Sequence, residues 1–170
     1  MPVMPGLNLK PTHQAVIACY HLPAQFASLG VKHETAVRSA FQELLERCAR
    51  QFEWKLVPEY RIKRKGHADV SADGAVLDKF GLNHGLWEAK DSADDLDQEI
   101  KRKFAAGYPK QNIIFWQPDR AVLYQNGEIH SDKSSPLCGR PARISGWAEP
   151  IYGKYLTAGI YTAINPPGKY

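Results

Sequence analysis

Two neighbouring runs decide the fold: Ser71-Ala72-Asp73-Gly74-Ala75-Val76-Leu77-Asp78, then Gly85-Leu86-Trp87-Glu88-Ala89-Lys90-Asp91. Short apolar runs bounded by turn-forming residues, Ala75-Val76-Leu77 and Leu86-Trp87 with Ala89, make Asp73–Asp78 and Gly85–Lys90 read as strands. Gly81-Leu82-Asn83-His84-Gly85 between them reads as a hairpin connection. Alternation along a strand sets Glu88 and Lys90 on one face, with Trp87 and Ala89 on the other.

Upstream, Lys55–Ile62 reads as another strand, and Pro58 restricts it to an edge or a bulge. Before it, Val37, Phe41, Leu44, Leu45, Cys48 and Phe52 recur at spacings of three and four, which predicts a helix over 34–52. Downstream, Ser92 and Asp95 fit a capping box, with Asp94 and Asp95 at the positive end of a helix dipole. Leu96, Ile100 and Phe104 form the buried stripe of that helix (93–106), and Gly107 before Tyr108-Pro109 ends it. Lys101, Arg102 and Lys103 are expected to face solvent. Asn112–Trp116 and Ala121–Gln125 read as strands, followed by an Asn126-Gly127 turn.

The expected fold is therefore α/β: a central mixed β-sheet flanked by helices, in the order helix, three strands, helix, two strands. Residues 1–30, with Pro2, Pro5, Pro11 and Pro23, read as an irregular arm with at most a short element around 14–20. Residues 31–128 form the core. Residues 129–170 read as a tail rich in Pro, Gly and Tyr, packed on the core or trailing from it.

The 170 residues suit one domain, and 44% apolar with 24% charged residues is globular rather than disordered or fibrous. The run Ala15–Tyr20 falls far short of the roughly 20 apolar residues that span a bilayer, and residues 1–14 lack a signal-peptide pattern. Cys19, Cys48 and Cys138 form no CxxC pair, so a disulfide framework is not expected and a cytoplasmic setting is. The six histidines show no zinc spacing. A net charge of +4 permits an anionic partner without requiring one.

An acid heading one strand and Glu-x-Lys on its hairpin partner can assemble a site for a hard divalent cation. Asp73 and Glu88 would share a Mg²⁺, with the Ala89 backbone carbonyl completing the oxygen set. Such an ion polarises a phosphodiester and lowers the pKa of a water, and Lys90 would orient that water or balance charge on the phosphate. The tripeptide alone is weak evidence, because it occurs three times. Glu53-Trp54-Lys55 has no aspartate upstream, and Glu99-Ile100-Lys101 sits in a helix where its side chains diverge. Only Glu88-Ala89-Lys90 has acids at hairpin distance. Asp69, Asp73 and Asp78 compete as the first acid; Asp73 is preferred because it begins a strand 15 residues before Glu88.

These runs, together with Tyr60–Gly66, Gly107-Tyr108-Pro109 before Asn112–Phe115, and Ala121–Gly127, resemble the PD-(D/E)XK nuclease superfamily. More narrowly, they resemble the amino-terminal nuclease domain of multidomain restriction–modification enzymes with helicase or methyltransferase parts. The likeness covers about residues 33–127. It implies a Mg²⁺-dependent DNA endonuclease, with Mn²⁺ as a substitute ion, acting on double-stranded DNA. Asp73, Glu88 and Lys90 take the family's catalytic positions, although Ala72 stands where proline is usual. It also implies an acid on the first helix, for which Glu34 is the candidate.

Asp78 and Gln98 are further supporting candidates. Arg61, Lys63, Arg64 and Lys65 are candidates for gripping DNA phosphates. The plainer readings are a turn acid for Asp73, an exposed ion pair for Glu88 and Lys90, and a solvated strand end for the basic segment. The rival functions are a catalytically inactive nuclease-like module for DNA binding or assembly, and, less favoured, a small-molecule hydrolase using Asp73 and Glu88 as acid and base. The chain has no P-loop and no complete methyltransferase pattern.

Overall fold

The computed structural model describes residues 14–30, 34–91, 93–117 and 120–134. In chain order these form α1 (Gln14–Ser28), α2 (Glu34–Arg50), β1 (Lys55–Ile62), β2 (Val70–Leu77), β3 (Asn83–Ala89), α3 (Leu96–Ala105), β4 (Ile113–Gln117), β5 (Arg120–Gln125) and β6 (Glu128–Ser134). The six strands make one sheet in sequential order. Every neighbouring pair is antiparallel except β3 and β4, which run parallel because α3 carries the chain back between them. The fold is α/β with a mixed sheet flanked by helices, consistent with a restriction-endonuclease-like core.

Helices cover both faces of β3 and β4. On one face, Phe41, Leu44, Leu45 and Cys48 of α2 pack on Trp87, Ile114, Trp116 and Leu123. Phe41 stacks on Trp116 with centroids 4.4 Å apart and meets Trp87 edge-on at 5.7 Å. On the other face, Leu96 and Ile100 of α3 join Ala75, Leu86, Ile113, Phe115 and Val122. All five residues of β4 are buried, as expected for a strand covered on both sides.

β1 is an edge strand, where Pro58 is tolerated, and Glu59 beside it has φ +51° and drops out of the pairing register. The C-terminus of α3 closes as a Schellman motif: Tyr108 N–H donates to Lys103 O, Gly107 N–H donates to Phe104 O, and Gly107 has φ +90°. Asn126 and Gly127, at φ +52° and +87°, make the β5–β6 turn.

Three expectations are corrected. Residues 14–28 form a helix rather than an irregular arm, burying Val16 and Cys19 in the α2 core. The run Ala15–Cys19 carries no polar residue, so it offers no periodic contrast, and Pro23 argued against a helix. Residues 128–134 form β6, so the tail beginning at 129 contains an edge strand. The helix after β3 is capped by Asp95, whose carboxylate accepts from the amides of Asp97 and Gln98, and starts at Leu96. Residues 1–13, Ser92 and 135–170 lie outside the described residues.

Candidate active site

The backbone pairing of β2 with β3 runs from Leu77↔Asn83 to Gly74↔Trp87 and stops there. One step further, side chains take over from the ladder. The Ala89 amide donates to Asp73 Oδ2 at 2.8 Å, and the Asp73 amide donates to Glu88 Oε1 at 3.3 Å. The two acids therefore flank a fork where the strands part. Gly74 at its base has no room for a side chain: a Cβ would press on the Trp87 indole and lie 2.9 Å from Val57 O.

Glu88 is fully buried although it lies on the face opposite Trp87, because α3 covers that face. Lys103, from the last turn of α3, places its Nζ 2.8 Å from Glu88 Oε2, a charge contact rather than an aligned hydrogen bond. The same ammonium donates to Tyr108 Oη at 3.0 Å and lies 4.6 Å from the Tyr108 ring centre. The Tyr108 hydroxyl donates in turn to Ser71 O on β2. Lys90, one residue past β3, sits 3.6 Å from Glu99 Oε2 of α3, with both side chains mostly buried. On the other acid, Arg38 of α2 approaches Asp73 Oδ1 at 3.4 Å and Glu59 at 3.6 Å.

Burial, and next the Asp73 charge, push the Glu88 carboxyl above its usual range, against the pull of Lys103 and Lys90. Burial also works against the Lys103 ammonium, but its contacts with Glu88 and Tyr108 outweigh that and hold its pKa high. A buried acid raised by desolvation and a neighbouring carboxylate is a candidate functional group.

Among the described residues no three His, Cys, Asp or Glu side chains gather into a metal-holding group. Two carboxylates at a strand fork do not make a zinc site or an all-protein calcium cage. They do suit Mg²⁺, which is held by one or two carboxylates and keeps the rest of its shell for water and phosphate. The mutual repulsion of Asp73 and Glu88 is what a divalent cation between them would relieve.

Asp73, Glu88 and Ala89 come together at the fork, and Lys90 follows one residue on with its ammonium toward Glu99. Asp69 and Asp78 do not join them. Asp69 is an exposed loop residue 3.4 Å from the Arg64 amide. Asp78 accepts from the amides of Phe80 and Leu82 and pairs with His84 at 3.1 Å, which makes it the organiser of the β2–β3 turn. Gln98 is exposed, its amide spent on the Asp95 cap. Glu34 begins α2, and its side chain lies outside the described residues.

Arg61, Lys63 and Lys65 are exposed. Arg64 instead turns back on the protein, donating to Ala68 O at 2.7 Å and to Ala106 O at 2.7 Å, and so ties the β1–β2 loop to the end of α3. Lys103 corrects the expectation that it faces solvent. Its signal was in the spacing: it lies seven residues after Leu96 and three after Ile100, on the apolar stripe. Arg38, Glu99 and Tyr108 were likewise not expected at the site.

The chain is similar in structure and sequence to a segment of the protein in the cryo-EM structure of a DrdV–DNA complex, with TM-score 0.75 and 32% identity. The match covers 92% of this chain and 14% of that one, so the chain corresponds to a small part of that protein's length. No protein-family model and no curated protein matches. No helix among the described residues is long and apolar enough to cross a membrane.

Proposed function

We infer that this chain is a Mg²⁺-dependent DNA endonuclease of the PD-(D/E)XK type, serving as the nuclease domain of a restriction–modification system. One observation carries the reading: Asp73 and the fully buried Glu88 are linked through backbone amides at the fork where β2 and β3 part. Likeness to a segment of a DNA-bound protein supports DNA as the partner.

In this reading Asp73 and Glu88, with the Ala89 carbonyl, hold the ion. The ion supplies Lewis-acid polarisation of the phosphodiester. Lys90, kept in place by Glu99 at 3.6 Å, supplies positive charge where the phosphate gains negative charge. Arg38 steadies Asp73 from the other side. Arg61, Lys63 and Lys65 give sequence-independent attraction to the DNA backbone. As the resemblance implies, cleavage leaves a 5′-phosphate and a 3′-hydroxyl.

The test is plasmid nicking with Mg²⁺ by Asp73→Ala, Glu88→Gln and Lys90→Ala chains whose circular dichroism matches the parent. Each is expected to lose activity, and undiminished nicking by folded Glu88→Gln removes the assignment. The rival, an inactive module, is favoured instead if calorimetry finds no binding of Mg²⁺ or Mn²⁺ to the parent chain.

A further inference from the structure

The carboxylate of Glu88 has two oxygens in different situations. Oε1 faces the fork, where the Asp73 amide reaches it at 3.3 Å. Oε2 faces α3, where the Lys103 ammonium stands 2.8 Å away. Lys103 is not a loose surface cation. Its side chain is 19% exposed, the Tyr108 hydroxyl accepts from it at 3.0 Å, the Tyr108 ring lies beneath it, and Tyr108 is itself tied to Ser71 O. Glu88 of β3 and Tyr108 beyond the end of α3 thus both meet one ammonium, and Tyr108 ties the group to β2.

We propose that Lys103 sets the metal preference of the site by holding Glu88 Oε2 away from the fork, so that Glu88 offers a cation one oxygen and not two. This rests on the endonuclease reading and adds to it a positioning residue that acts through Glu88. Mg²⁺ and Mn²⁺ are small and accept single carboxylate oxygens in a tight octahedral shell, whereas Ca²⁺ takes six to eight oxygens and favours two-oxygen carboxylates. A glutamate pinned by one oxygen discriminates against the larger ion. Lys90 Nζ lies 3.6 Å from Glu99 on the preceding turn of α3, whereas Lys103 Nζ lies 2.8 Å from Glu88 Oε2.

The experiment is calorimetric titration of the chain, without DNA, with MnCl₂ and separately with CaCl₂ at one pH. The readout is the ratio of the two affinities. Loss of the lysine's charge, or protonation of Glu88, alters both divalent ions alike and cancels in that ratio, whereas a change in the number of oxygens offered does not. Lys103→Met is expected to shift the ratio roughly tenfold toward Ca²⁺. Lys103→Arg, which keeps a cation at Oε2, is expected to restore the parent ratio. Tyr108→Phe, which removes the acceptor holding the ammonium, is expected to shift it part of the way and reports on the same contact if Lys103→Met does not fold. An unchanged ratio in folded Lys103→Met, or in Tyr108→Phe where that variant alone folds, overturns the inference and leaves the endonuclease reading standing. A parent chain that binds neither ion overturns both.

Discussion

The Ala89 amide donates to Asp73 Oδ2 at 2.8 Å, just where the β2–β3 ladder ends. A side chain thus closes the last hydrogen bond of a strand pair, so Asp73 carries structural weight beside the chemical role proposed for it. Removing it leaves a buried amide without an acceptor, which costs about 1–3 kcal/mol. Asp73→Asn keeps an oxygen for that amide while discarding the charge. Asp73→Asn is therefore expected to unfold in urea close to the parent, and Asp73→Ala earlier, while both lose nicking. Equal urea midpoints for all three chains would refute the structural half.

Glu88→Gln is expected to lower nicking by roughly 100-fold or more, comparable to losing one preorganised charged group at a reacting centre. Its stability need not follow its activity. Burial and Asp73 already disfavour the Glu88 charge, so a neutral isostere is tolerated on that account, while Lys103 loses its counter-ion. Rates of supercoiled plasmid conversion, set beside melting temperature, separate the two.

Gly74→Ala is expected to destabilise the chain by about 1–3 kcal/mol, because the added methyl meets the Trp87 indole and Val57 O with neither side free to yield. Chemical denaturation measures it. A denaturation midpoint unchanged by the methyl would overturn this close packing at the fork.

The basic segment is expected to divide into two behaviours. Lys63→Ala and Lys65→Ala lower DNA affinity at low salt and reduce the slope of log affinity against log salt by about one each, leaving stability alone. Arg64→Ala does the reverse, since its guanidinium holds Ala68 O and Ala106 O. Fluorescence anisotropy across a salt series, with thermal melts alongside, distinguishes them.

Arg120 bridges Asp97 on α3 and Asp132 on β6, at 2.9 and 2.8 Å. Its hydrogen bond holds the Asp97 carboxyl below its usual value. A depressed folded-state pKa gives stability that is present above the unfolded value of 3.8 and is lost as pH falls through the folded one. Asp97 is largely exposed, so solvent screening keeps the contribution to about 0.5–1 kcal/mol. Arg120→Ala is expected to lower stability at neutral pH by about that amount and to converge with the parent below pH 3.8; parallel stability curves down to acid would contradict this.

Much of the site and fold was legible where local chemistry is self-announcing. The three- and four-residue spacing marked α2, Asn126-Gly127 marked a turn, and Pro58 marked an edge. α1 escaped because Pro23 argued against a helix and the run Ala15–Cys19 offers no polar contrast, although Gln14, His21, Gln25 and Ser28 line an exposed face of it. β6 escaped because Glu128–Ser134 is polar, as an exposed edge strand can be.

By itself the sequence determined the order of elements from α2 to β5 and the acids that could stand at a hairpin fork, because both follow from period and spacing within a few residues. Tertiary structure alone decided which cation meets which carboxylate. Lys103 reaches Glu88 across 15 residues of chain, and Arg38 reaches Asp73 from a different helix. Such pairs are fixed by how α2 and α3 settle on opposite faces of one sheet, and that settlement is a property of the whole packed core.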